Sequence, residues 1–195
     1  MKYTSNFRIW HWLNAFVIFA LIGTVFLRKT FLSWRTNSEL LTQKLAEINL
    51  EVTAEQAKML AKSIRAPMWE WHIILGYALS ALLVWRITLF FTHSGKRSYT
   101  NLKKESFHKL MVKLGYVGIY FILFFMATSG LVIHFYELIG LTKELTHTVK
   151  EIHEFAFYAI YIFVPMHIIG VFIAENQDER GILSDMVYGG KELDK

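Results

Sequence analysis

Apolar residues gather into four long runs separated by polar stretches. They lie at about residues 10–27, 69–91, 112–135 and 152–174. Each run is near the ~20 residues an α-helix needs to cross a bilayer. Trp10, Trp12, Trp34, Trp69 and Trp71 mark run ends, where amphipathic indoles anchor a chain at a membrane interface. The pattern predicts an all-α integral membrane four-helix bundle, forming one domain over residues 1–195.

The first connection, about residues 28–67, has a pattern of its own. Thr53-Ala54-Glu55-Gln56 reads as a capping box, in which a hydroxyl and an amide each meet an orphan backbone N–H. After it, Ala57, Leu60, Ala61 and Ile64 recur at helical spacing, and before it Leu41, Leu45 and Ile48 do the same. Two short amphipathic helices outside the membrane are predicted, the second ended by Pro67. This helical extracytoplasmic insertion has three possible uses: lying on lipid, covering the bundle, or docking a partner.

Composition agrees with a membrane protein, since 54% of the 195 residues are hydrophobic. Cysteine is absent, which excludes disulfides, a thiolate nucleophile, Cys-ligated iron–sulfur clusters and covalent haem attachment through C-x-x-C-H. The net charge of +5 does not point to nucleic acid, because the bases bracket apolar runs and so act as a topology signal. The second connection carries Lys96, Arg97, Lys103, Lys104 and Lys109 against Glu105. Such a basic stretch is expected in the cytoplasm. Four spans then put both termini in the cytoplasm, in keeping with Lys2 and Arg8. The acids of the tail (Glu175, Asp178, Glu179, Asp185) weigh little in this rule, and the bases of the first connection are mixed with acids. No small-residue cleavage site follows the first run, which is read as a retained helix.

Candidate chemistry lies in the histidines. His153 and His167 are fourteen residues apart in the fourth run. That is nearly four helical turns, so both rings face one way at depths ~21 Å apart in a hydrocarbon core ~30 Å thick. His11 and His72 begin the first two runs. Given the topology, depth pairs His11 with His167 at the inner side and His72 with His153 at the outer side. Facing helices of a bundle can build such sites. Structural zinc wants four ligands at one point, whereas a b-type haem takes two axial ones, so two haem b groups fit best. Gly76 lies one turn from His72, and Gly170 three residues from His167, where they leave room for a flat ligand. Gly115, Gly118, Ser129 and Gly130 thin the third run, although such residues also serve close helix packing. The four histidines have an alternative reading as hydrogen-bonded interior or interface residues. An ionisable side chain inside a span is nevertheless a functional candidate by default.

Arg86 follows His72 by the same fourteen-residue offset, which puts it on the face of His72 at the inner depth. There it is a candidate to grip a haem propionate in a bidentate pair, with snorkelling to the interface as the alternative. Arg8, one turn before His11, is a second candidate. His134 is read as an interface residue, and His93, His108 and His147 as solvated. Met126 and Met166 are read as packing.

The segments Arg8-Ile9-Trp10-His11-Trp12, Trp71-His72-Ile73-Ile74-Leu75-Gly76-Tyr77 and Ala127-Thr128-Ser129-Gly130-Leu131 resemble the bacterial di-haem cytochrome b-561 family. That family includes the b-type cytochrome subunits of nickel–iron hydrogenases. The fourth run and the tail from Glu175 to Gly181 extend the resemblance, which covers all four runs but not the first connection. It implies haem ligands at His11, His72, His153 and His167, in the pairing depth gives. It also implies electron transfer between the quinone pool and a partner at the outer face.

The leading expectation is therefore an inner-membrane electron-transfer subunit with a periplasmic redox partner and an exchangeable quinone. A long first connection suits docking. A stand-alone quinone-linked superoxide oxidase is the alternative, with Arg28, Lys29 and Arg35 as an anion-steering funnel opposed by Glu39, Glu47, Glu51 and Glu55. A haem-free proton-relay or metal-handling bundle is the third reading.

Overall fold

A computed structural model describes residues 3–92, 107–177 and 180–189, without the side chains of 107–111. Lys2, His93, Lys96, Arg97, Lys103, Lys104, Glu105, Asp178 and Glu179, and the side chains of His108 and Lys109, lie outside the described residues. The described residues form six helices: α1 (Ser5–Lys29), α2 (Trp34–Ala46), α3 (Ala54–Phe91), α4 (Phe107–His134), α5 (Lys143–Asn176) and α6 (Ile182–Tyr188). Four are long and apolar enough to cross a membrane: α1, α3, α5 and, from Val112, α4.

These helices wear their apolar side chains outward. Phe16, Phe121 and Phe155 are 70%, 71% and 76% exposed, while Asn14, Thr24, Ser129 and Asp185 are buried. Water would penalise so much exposed hydrocarbon, whereas lipid tails would not.

The extramembrane insertion departs from expectation at Pro67. The capping box forms, with the Thr53 amide donating to Gln56 Oε1 at 2.8 Å and the Gln56 amide donating to Thr53 Oγ1 at 3.3 Å. The helix it opens does not stop at the proline; α3 continues unbroken to Phe91. Pro67 has no N–H to offer the Ser63 carbonyl, a loss of about 3 kcal/mol in a helix interior. Ala57, Ala61 and Met68 are buried on both sides of it, and their packing outweighs that loss.

The chain divides into two compact units, residues 16–78 and the remainder. In the first, comprising residues 1–15 and 79–195, α4 and α5 pair antiparallel. Ser129 meets His153, and Tyr116 meets His167. Glu175 near the end of α5 accepts the Gly181 and Leu183 amides at 2.9 Å each, satisfying the opening turn of α6. The N-terminal segment docks on α6. The Tyr3 amide donates to Asp185 Oδ2 at 3.0 Å, and the Trp12 indole donates to the Met186 carbonyl at 3.2 Å. In the second unit, residues 16–78, the Arg28 guanidinium lies 4.9 Å over the Trp69 ring and the Lys58 ammonium 5.6 Å from that of Trp34.

Trp10 is also a correction. It is 3% exposed, and its indole donates to the Leu82 carbonyl at 2.7 Å. An indole N–H held by a helix carbonyl is a packing element, not an interface anchor.

Candidate functional site

Within the first unit, α1 and α5 bring His11 and His167 face to face. Their ring centres are 6.2 Å apart and their planes inclined by 57°. Two imidazoles that each bind one metal ion at about 2 Å hold their ring centres roughly 6 Å apart. The pair therefore stands at the separation of two axial ligands sharing an ion. Aromatic rings hold it there. Phe163, one turn before His167 on α5, stacks on that ring at 5.7 Å, and Tyr116 of α4 meets it edge-on at 6.1 Å. Trp12 meets His11 edge-on at 5.5 Å.

Arg86 occupies an aromatic box. Its guanidinium lies 5.1 Å from the Phe7 ring, 5.4 Å from Trp10 and 5.3 Å from Tyr120. Its Nε donates to the Tyr120 hydroxyl at 3.1 Å. Cation–π contact with three rings holds the charge inward, so the side chain does not snorkel. Arg86 Nη1 is nevertheless buried without a hydrogen-bond partner, and so is Arg8 Nε. A buried donor left unpaired costs about 1–3 kcal/mol, which an incoming carboxylate would recover. Arg8 is packed against the chain's C-terminal turn: a β-carbon on Gly189 would collide with its Nη1.

The other two histidines are held differently. In the second unit, Thr24 Oγ1 lies 2.7 Å from His72 Nδ1, and Trp69 meets the His72 ring edge-on at 5.4 Å. In the first unit, Ser129 Oγ lies 2.7 Å from His153 Nδ1. Gly130 comes close beside it, since an added β-carbon would sit 3.5 Å from His153 Cε1. At Gly76, Gly115, Gly118 and Gly170 an added β-carbon would meet nothing within 4 Å.

Of the remaining histidines, His134 ends α4 with its ring edge-on to Phe135 at 4.7 Å. His147 is exposed, 3.6 Å from Glu151. Among the described residues no three His, Cys, Asp or Glu side chains gather as a metal cage. Sequence reasoning did not find Thr24, or the aromatic partners Tyr116, Tyr120 and Phe163. Ser129 stood out only as small. A lone hydroxyl inside an apolar run was the available signal, but helix hydroxyls usually satisfy themselves on a backbone carbonyl.

Residues 2–189, nearly the whole chain, match the family model of prokaryotic cytochrome b561. No curated protein and no solved structure matched the chain. The family implies a b-type haem. The residues present fit that group: two imidazoles whose ring centres stand 6.2 Å apart, buried guanidinium donors suited to carboxylates, and glycines at which an added β-carbon would find open space.

Proposed function

The chain belongs to the prokaryotic cytochrome b561 family, and from that membership we propose that it carries two haem b groups and conducts electrons across the membrane. In this reading His11 and His167 hold one haem, and His72 and His153 the other. Electrons pass between the quinone pool and a redox protein at the periplasmic face, with this chain as the membrane subunit of a respiratory oxidoreductase such as a hydrogenase. The basic second connection and both termini lie in the cytoplasm, which puts the His11 and His167 end inside. The membrane is the bacterial inner membrane, and residues 1–195 act as one cytochrome domain.

The observation that carries the proposal is the 6.2 Å separation of the His11 and His167 rings. Haem supplies a one-electron iron couple whose potential follows its axial ligands, hydrogen bonding and burial. The protein's own part is binding and orientation. Phe163 and Tyr116 hold the plane of His167, and Trp12 packs against His11. Arg86 and Arg8 present fixed donors to propionates, with Arg86 anchored by Tyr120. Gly76 and Gly170 leave room beside the second and fourth histidine-bearing runs. The histidines of α5 are ~21 Å apart along its axis, which supports two centres in series across the bilayer core.

Haem content and a reduced-minus-oxidised spectrum of the purified chain test this reading. Two b-type haems per chain are expected. His167→Ala should abolish one and spare the one held by His72 and His153. Absence of b-type bands would favour the haem-free proton-relay or metal-handling reading.

One observation favours the second reading, a stand-alone superoxide oxidase. Arg28 and Arg65 lie close enough for their charges to repel, and Arg28 covers Trp69, which touches His72. Such a cation cluster is suited to an anion. Superoxide consumption by the isolated chain with quinone present would establish it. A periplasmic protein that co-purifies and reduces the haems would establish the first.

A further inference from the structure

Thr24 and Ser129 each make two short contacts that a single hydroxyl proton must divide. Thr24 Oγ1 lies 2.6 Å from the Leu21 carbonyl and 2.7 Å from His72 Nδ1. Ser129 Oγ lies 2.6 Å from the Phe125 carbonyl and 2.7 Å from His153 Nδ1. A carbonyl oxygen only accepts, so at 2.6 Å the hydroxyl proton must point toward it. The hydroxyl oxygen then has only lone pairs for the ring, and the ring nitrogen must be the donor. Both imidazoles therefore carry a proton on Nδ1, which in the neutral ring leaves Nε2 unprotonated. That is the tautomer that offers Nε2 to a metal. Both hydroxyls are buried, Thr24 at 8% and Ser129 at 4% exposure, so water does not compete for these bonds. The same device occurs in two separate units, on two different helices, with a threonine in one and a serine in the other.

We infer that Thr24 and Ser129 are positioning residues that fix the tautomer of His72 and His153 and lower the potential of the haem those histidines hold. The inference rests on the proposed ligation by His72 and His153. An acceptor on Nδ1–H draws its proton outward and leaves Nε2 a stronger electron donor. A stronger donor favours ferric iron over ferrous. Without the acceptor the haem is reduced more easily.

The test is an optical redox titration of the full-length haem-loaded chain, with Thr24→Val, Ser129→Ala and the double variant. One of the two couples should rise, and the other should stay. The double variant should change the oxidised-to-reduced ratio at a fixed potential about tenfold, which is ~59 mV for one electron. Each single variant should give part of that shift. Thr24→Ser and Ser129→Thr, which keep the hydroxyl, should restore the original value. A purely structural role would not follow the hydroxyl in this way. The inference is overturned if both couples hold still in the single variants while both haems remain bound. It is equally overturned if the couple that moves is the one lost in His167→Ala. Failure of the ligation itself reads differently: His72→Ala would then retain both haems.

Discussion

The His11 and His167 end and the two hydroxyl-held histidines solve one problem by opposite means. On the proposed ligation, each imidazole must be held in one plane to offer a ring nitrogen to iron. At His11 and His167 the ring neighbours are Trp12, Phe163 and Tyr116. At His72 and His153 a buried hydroxyl grips Nδ1 directly. Rings restrain orientation through area and shape, and leave the electronics of the imidazole nearly alone. A hydroxyl acceptor restrains orientation and also raises the donor strength of the ring. On the proposed ligation, two haems held in these two ways need not share a potential, and a difference between them would give electron flow a downhill direction.

The largest effect that can break this comparison is loss of a ligand. His11→Ala should remove the same haem as His167→Ala, and His153→Ala should remove the other, as read by haem content and low-temperature spectra. If His11→Ala and His167→Ala removed different haems, the pairing would be wrong.

Next comes Arg86→Leu. It deletes the charge seated among Phe7, Trp10 and Tyr120 and the donor with a buried unpaired nitrogen. A hydrogen bond to a charged group is worth about 1.5–3 kcal/mol. Loss of haem to a scavenger protein should accelerate roughly tenfold or more at the His11 and His167 end, with the other haem unmoved. Equal acceleration of both would remove Arg86 from that end.

Gly189→Ala should act more weakly at the same end. Gly189 adopts φ 86°, a left-handed conformation that costs a side chain about 1–2 kcal/mol. The added carbon would also displace Arg8. A lower unfolding temperature and a small spectral change in one haem are expected. An unchanged melting curve would show that the C-terminal turn gives way freely.

The smallest effect on either haem belongs to Pro67→Ala. It restores a helix hydrogen bond within α3 and should raise stability by up to about 3 kcal/mol, while both haem spectra stay as they are. A spectral change would mean that the proline shapes the His72 end.

The contrast between these regions also shows what a sequence conceals. The four spans were legible because lipid imposes a crude rule on composition and length. Helices Ser5–Lys29 and Lys143–Asn176 contain the predicted runs and extend them at both ends. The capping box was legible because it is a local hydrogen-bond pattern. The insertion helix was expected to end at Pro67 but runs on into the second span, because proline's local penalty says nothing of the packing around Ala57, Ala61 and Met68. Trp10 was misread because an indole serves an interface and a helix carbonyl equally well, and only Leu82 decides between them.

What the sequence by itself determined is the kind of molecule and its list of chemical groups. Four apolar runs require helices in lipid, since backbone polar groups must be satisfied within the segment. Eight histidines, four of them in or at the apolar runs as candidate ligands, and no cysteine limit the iron ligands that are possible. Depth along the sequence already pairs His11 with His167, whose ring centres stand 6.2 Å apart; only the tertiary structure decided that Arg86 turns into an aromatic box, and that Thr24 and Ser129 back two imidazoles. Those relations join residues far apart in the chain, such as Ser129 and His153 on adjacent helices. A helix presents each side chain to a neighbour that its own sequence does not specify, so the direction of one hydroxyl proton becomes fixed only when the helices pack.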